Sequence, residues 1–220
     1  MPSSTHFVLV LPGSLLAATA CNANASPPRP VPAPLFDAPR AAASARQTAV
    51  LSGGCFWGVQ AVFQHVSGVI TATSGYAGGS ANTAEYETVS TGETGHAESV
   101  EIVYDPSQIT YGDLLRVFFS VAHDSTQLNR QGPDDGTQYR SSILYTSDEQ
   151  KKEAEAYSAQ LDKTRVFSAA SSRRLLLFYP AEAYHQNYAA LHPDQPYILL
   201  NGAPKVAHLK QEVPELYREK

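Results

Sequence analysis

The stretch "TAVLSGGCFWGVQAVFQHV", Thr48–Val66, joins a short apolar run to a longer one through two glycines. The first run ends at Ser52 and is typical of a short strand, which the glycine pair terminates. In the longer run, apolar side chains recur at helical intervals, at Phe56, Val59, Val62 and Phe63. The pattern predicts a strand, a tight turn and a helix, with Cys55 at or just before the first helical turn.

A further strand is predicted over His96–Pro106, where residue types alternate with a period of two. Glu98 lies on the same predicted face as Val100 and Ile102. Other predicted elements are helices over Ile109–Val121, Ser147–Lys163 and Ala181–His192 and a strand over Arg173–Pro180, with Thr110 and Ser147 as N-caps. Because the elements alternate irregularly and some strands can pair as hairpins, we predict an α+β fold, a two-layer α/β sandwich with one mixed sheet.

Length, charge and motif content limit the class of protein. The 220 residues are enough for one domain with extensions. A formal net charge of −5 and a pI of about 5.8 argue against a nucleic-acid or anionic membrane surface. The glycine pairs form no phosphate-binding motif, and the histidines and cysteines show no metal-ligand spacing. We therefore expect no cofactor and no metal. We also expect a monomeric protein.

The N-terminal part of the chain differs from the rest. Phe7–Ala25 is apolar and ends in small residues, so residues 1–25 are predicted to be a signal peptide or lipoprotein-type leader. Such a leader would direct the protein to the bacterial periplasm or cell envelope, and lipidation of Cys21 in "ATAC" is an alternative. A leader that does not function would leave the protein in the cytoplasm. Residues 26–47 are rich in Pro and Ala and predict a flexible linker, which leaves 48–220 as a single catalytic domain.

The chain has two cysteines, Cys21 and Cys55. If the leader is removed, Cys55 has no partner for an internal disulfide, which favours a reactive thiol over a structural one. The alternative is an inert thiol buried in the core. A helix start carries unsatisfied N–H groups and the positive end of the helix dipole, so we expect Cys55 to favour the thiolate.

Several other side chains are candidates for chemistry. Glu98 should point into the apolar side of the sheet, where burial would raise its pKa and make it a proton donor near neutral pH. Tyr86, Tyr139 and Asp134 flank a glycine-rich turn and a long polar loop, although each could equally serve packing or a turn. These candidate residues are compatible with a Cys–His hydrolase or acyltransferase that uses His96 or His185 as base. They are also compatible with a non-catalytic binding domain.

Five motifs occur in a fixed order along the chain. They are "GGCFWG" at 53–58, "GYAGG" at 75–79, "YETVSTGETGHAESVEIVYDP" at 86–106, "HDSTQLNRQGPDDGTQYRS" at 123–141 and "FYPAEAYHQNY" at 178–188. Together they resemble the peptide methionine sulfoxide reductase A family, from about Thr48 to the C-terminus. This resemblance implies an α/β roll with a ferredoxin-like core.

The resemblance also implies the activity. It is the reduction of the S-epimer of methionine sulfoxide, free and in proteins, to methionine, which leaves a sulfenic acid on the catalytic cysteine. The family's roles fall on the nucleophile Cys55, the methyl-binding aromatics Phe56 and Trp57, the acid Glu98, the oxygen-binding Tyr86 and Tyr139, and the supporting Asp134.

Two departures from the common family pattern are visible. Gln60 stands where an acidic residue commonly follows "CFWG". The tail after Pro196 has no cysteine, so it resembles the branch without C-terminal resolving cysteines. The resemblance then implies an outside reductant, which would be a thioredoxin-like or glutaredoxin-like protein or a small thiol. A retained leader would offer Cys21 as an internal alternative.

Overall fold

The computed structural model describes residues 31–163 and 171–220. The strands are β1 Gln47–Ser52, β2 Val69–Ala77, β3 Ala97–Tyr104, β4 Arg130–Gln131, β5 Asp134–Asp135, β6 Ser142–Tyr145, β7 Ser171–Arg174 and β8 Phe178–Pro180. The helices are α1 Phe56–Gln64, α2 Tyr86–Val89, α3 Tyr111–Val117, α4 Asp148–Asp162, α5 Tyr188–Leu191 and α6 Ala203–Glu212. Short 3-10 turns span Ala81–Thr83, Thr137–Tyr139 and Ala183–His185, and π turns span Phe118–Ala122 and Ile198–Gly202.

One six-stranded sheet, in the order β7-β6-β1-β3-β2-β8, forms the framework of the domain. The β6–β7 pair is parallel and the other pairs in this sheet are antiparallel, so the sheet is mixed. β1 and β3 lie at its centre, and the end of β1 is next to the start of β3. The predicted α+β class with a mixed sheet is therefore confirmed.

The short connection between its edge strands shows that the sheet is strongly curled. β7 and β8 lie at opposite edges, yet only three residues separate Arg174 from Phe178. Four extended residue steps span at most about 14 Å. The edge strands of a flat six-stranded sheet lie about 24 Å apart, since neighbouring strands are about 4.8 Å from each other. The short connection is therefore possible only if the sheet curls and brings its edges together.

The hydrophobic core occupies the helical side of the sheet. Leu51 of β1 and Ile102 of β3 are fully buried there, together with Phe63 of α1 and Leu115 of α3. A small second cluster lies on the other face, formed by Val50, Ala77 and Leu144 with Leu175 and Phe178 packed against it. Both faces of β1 are consequently apolar and buried, which fixes the strand that leads to Cys55.

The two predicted N-caps are confirmed. The Thr110 hydroxyl accepts a hydrogen bond from the Asp113 N–H, and the Asp113 side chain accepts one from the Thr110 N–H, so α3 begins with a capping box. The Ser147 hydroxyl accepts from the Gln150 N–H at the start of α4. All three hydrogen bonds satisfy donors that a helix start leaves free.

Two predicted elements near the C-terminus were wrong. The strand over Arg173–Pro180 is split into β7 and β8, which pair with different neighbours, and Leu176 between them is exposed. The helix over Ala181–His192 is likewise split into a 3-10 turn and α5. Asn187 between these has a φ of 58°, a left-handed conformation that interrupts the helix and that asparagine tolerates better than most residues.

The N-terminal strap, residues 31–46, differs from the predicted flexible linker. It contains no helix or strand, but Val31 is buried in the core and the Pro32 carbonyl accepts a 2.6 Å hydrogen bond from the Tyr157 hydroxyl. The Asp37 carboxylate accepts hydrogen bonds from the Thr110 hydroxyl and, at 3.1 Å, from the Gly112 N–H. The packed domain therefore begins before Thr48, because polar anchors offset the low apolar content of this segment.

The predicted leader, including Cys21, and the first five residues of the predicted linker lie outside the described residues. Within residues 31–163 and 171–220, no helix has the length and apolar character needed to cross a membrane.

Candidate active site

The turn between β1 and α1 fixes the position of Cys55. Gly54 has a φ of 89°, and a Cβ atom there would lie 2.6 Å from the Gln131 side chain, so both backbone and space require glycine. Cys55 is the N-cap residue of α1 and is partly exposed. The predicted strand, turn and helix are confirmed, and they place the thiol directly beside the free N–H groups of the first helical turn.

Glu98 faces Cys55 from the neighbouring central strand. It is 3% exposed, and its Oε2 atom accepts a 2.9 Å hydrogen bond from the Phe56 N–H at the start of α1. Burial, and to a smaller extent the charge of Asp134, raise the pKa of Glu98 to about 8, against the opposing effect of the Phe56 hydrogen bond. The expected burial and raised pKa are confirmed, so this carboxyl group is mostly protonated at neutral pH.

The expected thiolate character of Cys55 was wrong. Burial and the charge of Glu98 raise the pKa of the thiol well above its usual range. The backbone N–H of Trp57 and the Tyr197 hydroxyl lower this pKa, but they do not offset burial. The helix start alone is therefore insufficient, and Cys55 rests as a neutral thiol.

Phe56 and Trp57 form an aromatic wall beside the thiol. Phe56 is buried, whereas Trp57 is partly exposed. The Trp57 indole stacks on Tyr188 with ring centroids 3.8 Å apart and planes 9° apart, and it meets the edge of Tyr197 at 5.9 Å. Its Nε1–H donates a 3.1 Å hydrogen bond to Nδ1 of His185. Stacking and hydrogen bonding together leave the indole little freedom to rotate.

Tyr86 and Tyr139 reach the same site from separate parts of the chain. Tyr86 is the first residue of α2, and its N–H donates a 2.9 Å hydrogen bond to Glu182. Tyr139 ends the 3-10 turn that follows β5. Burial, followed by the charge of Glu98, raises the pKa of both phenols. Both hydroxyls are therefore protonated and can donate hydrogen bonds over the whole physiological range.

Asp134 in β5 is linked to Cys55 through Tyr197. The Tyr197 hydroxyl donates a 2.5 Å hydrogen bond to Oδ2 of Asp134 and also lowers the pKa of the Cys55 thiol. Burial raises the pKa of Asp134, whereas the Tyr197 hydrogen bond and the charge of Lys205 lower it. The structure thus brings together all seven residues that the sequence suggested, and it adds Tyr197 between two of them.

The two histidines considered as bases for a Cys–His enzyme are engaged elsewhere. His96 is buried, and its ring nitrogens bond to the Gly79 N–H at 3.2 Å and to the Ser80 carbonyl at 3.0 Å. His185 accepts the Trp57 indole hydrogen bond, and burial lowers its pKa. Neither ring hydrogen-bonds to the Cys55 sulfur in the part of the chain that the structure describes, so the geometry does not favour the hydrolase alternative.

The profile of the family described as "Peptide methionine sulfoxide reductase" matches residues 47–216. The chain belongs to this family. A relative from Mesorhizobium japonicum, described as "Peptide methionine sulfoxide reductase MsrA 2", is 59% identical over 182 residues, which cover 81% of this chain and 93% of the relative. A relative of the same description from Synechocystis sp. is 48% identical over 187 residues, which cover 83% of this chain and 87% of the relative.

Solved structures of the family support the fold. Mxr1 from Saccharomyces cerevisiae in reduced form matches with a TM-score of 0.61 and 32% identity, covering 68% of this chain and 87% of that one. Methionine sulfoxide reductase A of Corynebacterium diphtheriae matches with a TM-score of 0.59 and 31% identity, covering 76% of this chain and 88% of that one. The α+β architecture is therefore shared with these members of the reductase family.

The departure of Gln60 from the common family pattern has a structural explanation. Gln60 is buried, and its amide donates 2.9 Å hydrogen bonds to the Ala72 carbonyl and to Gln186. Its oxygen accepts a 2.8 Å hydrogen bond from the Asn187 N–H. A neutral amide can both donate and accept here, which a carboxylate cannot. Gln60 thus ties α1 to β2 and to the segment after His185, away from the thiol.

Sequence reasoning missed three residues of the site, Tyr188, Tyr197 and Lys205. The predicted helix over Ala181–His192 places Tyr188 in a helix interior, and its spacing gives no sign of the stack on Trp57. Tyr197 and Lys205 lie in the tail, where the lack of cysteines is the main sequence signal. Their contacts with Cys55 and its neighbours depend on how distant parts of the chain meet in the fold, which a single sequence does not reveal.

Within residues 31–163 and 171–220, no group of three or more His, Cys, Asp and Glu side chains is arranged to hold a metal ion.

Proposed function

We propose that this chain reduces the S-epimer of methionine sulfoxide, free and in oxidised proteins, with Cys55 as the nucleophile. The observation that carries the proposal is the meeting of an unpaired thiol and a buried, protonated carboxyl group at the start of α1. Reduction of a sulfoxide needs one group to attack sulfur and another to protonate oxygen. Cys55 and Glu98 supply both.

The walls of the site suit the substrate. The side chain of methionine sulfoxide has an apolar methyl group and a polar S–O bond on the same sulfur. Phe56 and Trp57 offer aromatic surface to the methyl group, and the protonated Tyr86 and Tyr139 hydroxyls are donors for the oxygen. When the aromatic rings hold the methyl group and the hydroxyls hold the oxygen, the sulfur faces Cys55 in only one of the two epimers.

The chemical step balances with the protons that the site holds. The Cys55 sulfur attacks the sulfoxide sulfur and the S–O bond breaks. The oxygen is transferred to the Cys55 sulfur, which becomes a sulfenic acid. Glu98 gives its proton to the oxygen as charge develops there and is reprotonated by the proton that Cys55 releases. The substrate sulfoxide is reduced to methionine by two electrons, and the thiol is oxidised to the sulfenic acid by the same two electrons.

We propose that an outside thiol completes the cycle. Cys55 is the only cysteine in residues 48–220. One external thiol would convert the sulfenic acid to a mixed disulfide and release water, and a second would free Cys55 and leave as a disulfide. A thioredoxin-like or glutaredoxin-like protein, or a small thiol, meets this requirement.

The test of the proposed function is turnover of the two resolved sulfoxide epimers with dithiothreitol as reductant. We expect methionine from the S-epimer only. Equal turnover of both epimers, or of neither, would overturn the proposal.

Cys55→Ser should abolish turnover, and Cys21→Ser is the matched control, since it removes the other thiol of the chain. Turnover that persists in Cys55→Ser would exclude Cys55 as the nucleophile. Loss of turnover in Cys21→Ser would point instead to an internal resolving thiol.

We also propose that the protein is exported to the cell envelope. The apolar Phe7–Ala25 segment with its small terminal residues supports this location. Mass spectrometry of the protein purified from its native cells should find an N-terminus near residue 26, or a lipidated Cys21. An intact Met1 in cytoplasmic fractions would contradict export.

A further inference from the structure

Lys205 is a partly buried cation that packs against the helix carrying Cys55. It lies in the first turn of α6, and a Cβ atom added at Gly58 of α1 would lie 3.4 Å from Cδ of Lys205. Its Nζ donates a 2.7 Å hydrogen bond to the Ala122 carbonyl. The aliphatic stem therefore crosses α1 one turn from Cys55, and the ammonium group is anchored in place.

Two carboxyl groups lie near the Cys55 sulfur. Glu98 of β3 and Asp134 of β5 both raise the pKa of the thiol. Lys205 carries the opposite charge from α6. Burial lowers its pKa, and its interactions with Cys55 and Asp134 raise it. Three phenols also face the sulfur, those of Tyr86, Tyr139 and Tyr197.

We propose that the Lys205 ammonium group stabilises the negative charge that develops on Cys55 and so acts as a positioning residue for the nucleophile. The surroundings of the Cys55 thiol already disfavour its ionised form, and without this cation ionisation would cost still more free energy. The effect requires Lys205 in its ammonium form while the thiolate forms transiently. This inference rests on the proposed function only in taking Cys55 as the reacting sulfur.

The experiment measures the rate of Cys55 alkylation by iodoacetamide from pH 6 to 10 in the full chain without substrate. All variants carry Cys21→Ser so that one thiol reacts. Lys205→Met removes the charge and the hydrogen bond, Lys205→Gln keeps a donor without the charge, and Lys205→Arg keeps the charge. The matched control is Lys210→Met in the same helix, where an exposed lysine pairs with Glu219 at 3.4 Å.

We expect alkylation at pH 7.5 to fall about tenfold in Lys205→Met and Lys205→Gln, since an adjacent opposite charge changes a pKa by about one unit or more and the thiolate is the reactive form. Lys205→Arg and Lys210→Met should follow the parent profile. Near-parental alkylation in Lys205→Met would overturn the proposal. So would rescue by Lys205→Gln, because a purely structural hydrogen bond would then suffice. Circular dichroism checks that each variant is folded, and alkylation requires no sulfoxide turnover, so the proposed function could fail independently.

Discussion

Glu98 shows how one strand position can set a chemical property. Alternation along β3 directs its carboxyl group to the same buried side as Val100 and Ile102, and burial then raises its pKa to about 8. This much follows from the sequence, because period-two alternation determines the face. The direction of the Cys55 pKa shift does not, because it depends on how burial and Glu98, which raise the pKa, weigh against Trp57 and Tyr197, which lower it.

The pKa of Glu98 predicts a pH dependence of catalysis. Below pH 8 the carboxyl group holds the proton that the sulfoxide oxygen needs, and above pH 8 it has lost that proton and adds a negative charge beside Cys55. The kcat/KM for the S-epimer should therefore fall as pH rises through about 8. Glu98→Gln should remove this limb and lower kcat/KM at pH 7 by roughly 10²- to 10⁴-fold, the usual contribution of a general acid.

Alkylation of Cys55 by iodoacetamide serves as the control for Glu98→Gln, because the variant should leave the thiol reactive. A parental kcat/KM in Glu98→Gln, or the same fall of kcat/KM as pH rises through about 8, would show that Glu98 is not the acid.

At the scale of elements, the turn between β1 and α1 was predictable and the edges of the sheet were not. The glycine pair and the helical spacing that follows it are local signals, and the structure has the turn where they place it. β7 and β8 were predicted as one strand because the continuous apolar run Leu175–Phe178 is typical of a single strand. Its division between two sheet edges depends on the curl of the whole sheet, which no local pattern records.

The turn gives a prediction with an internal control. Gly54→Ala should lower the free energy of unfolding by about 2 kcal/mol or more, because alanine is strained at a positive φ and its Cβ would meet the Gln131 side chain at 2.6 Å. Gly58→Ala makes the same chemical change four residues later, inside α1, where alanine replaces glycine favourably by about 0.5–1 kcal/mol.

Urea denaturation of both glycine variants measures the difference. Gly54→Ala should also lose most turnover, since the strain acts on the backbone that holds Cys55, whereas Gly58→Ala should stay folded and active. Equal stability of the two variants would show that the turn does not depend on the conformation of Gly54.

At the scale of the whole molecule, the N-terminal strap extends the domain beyond what composition suggests. Few large apolar residues occur between 31 and 46, so the sequence predicts a linker. The structure instead anchors the segment at separate points, with Val31 in the core and Asp37 at the start of α3. Such anchors are single residues whose partners lie more than 70 positions away, and their effect cannot be inferred from average composition.

We predict that the strap is part of the stable unit. A chain of residues 47–220 should unfold with a free energy about 3 kcal/mol lower than one of residues 31–220. Burial of one valine contributes about 1.5–3 kcal/mol and each hydrogen bond about 1 kcal/mol, part of which the ordering entropy cancels. In thermal unfolding this corresponds to a fall in Tm of about 10 °C. Matching Tm values would show that the strap lies on the surface without stabilising the domain.

The contacts of Trp57 have an optical consequence. It is the only tryptophan in the chain, and it is fixed between Tyr188 and Tyr197 with its indole N–H on His185. Emission excited selectively at tryptophan therefore originates from one ring beside the catalytic thiol. A substrate that covers this ring, or an oxygen added to the neighbouring sulfur, changes the surroundings of the one fluorophore, so the unlabelled protein carries its own reporter for each step of the cycle.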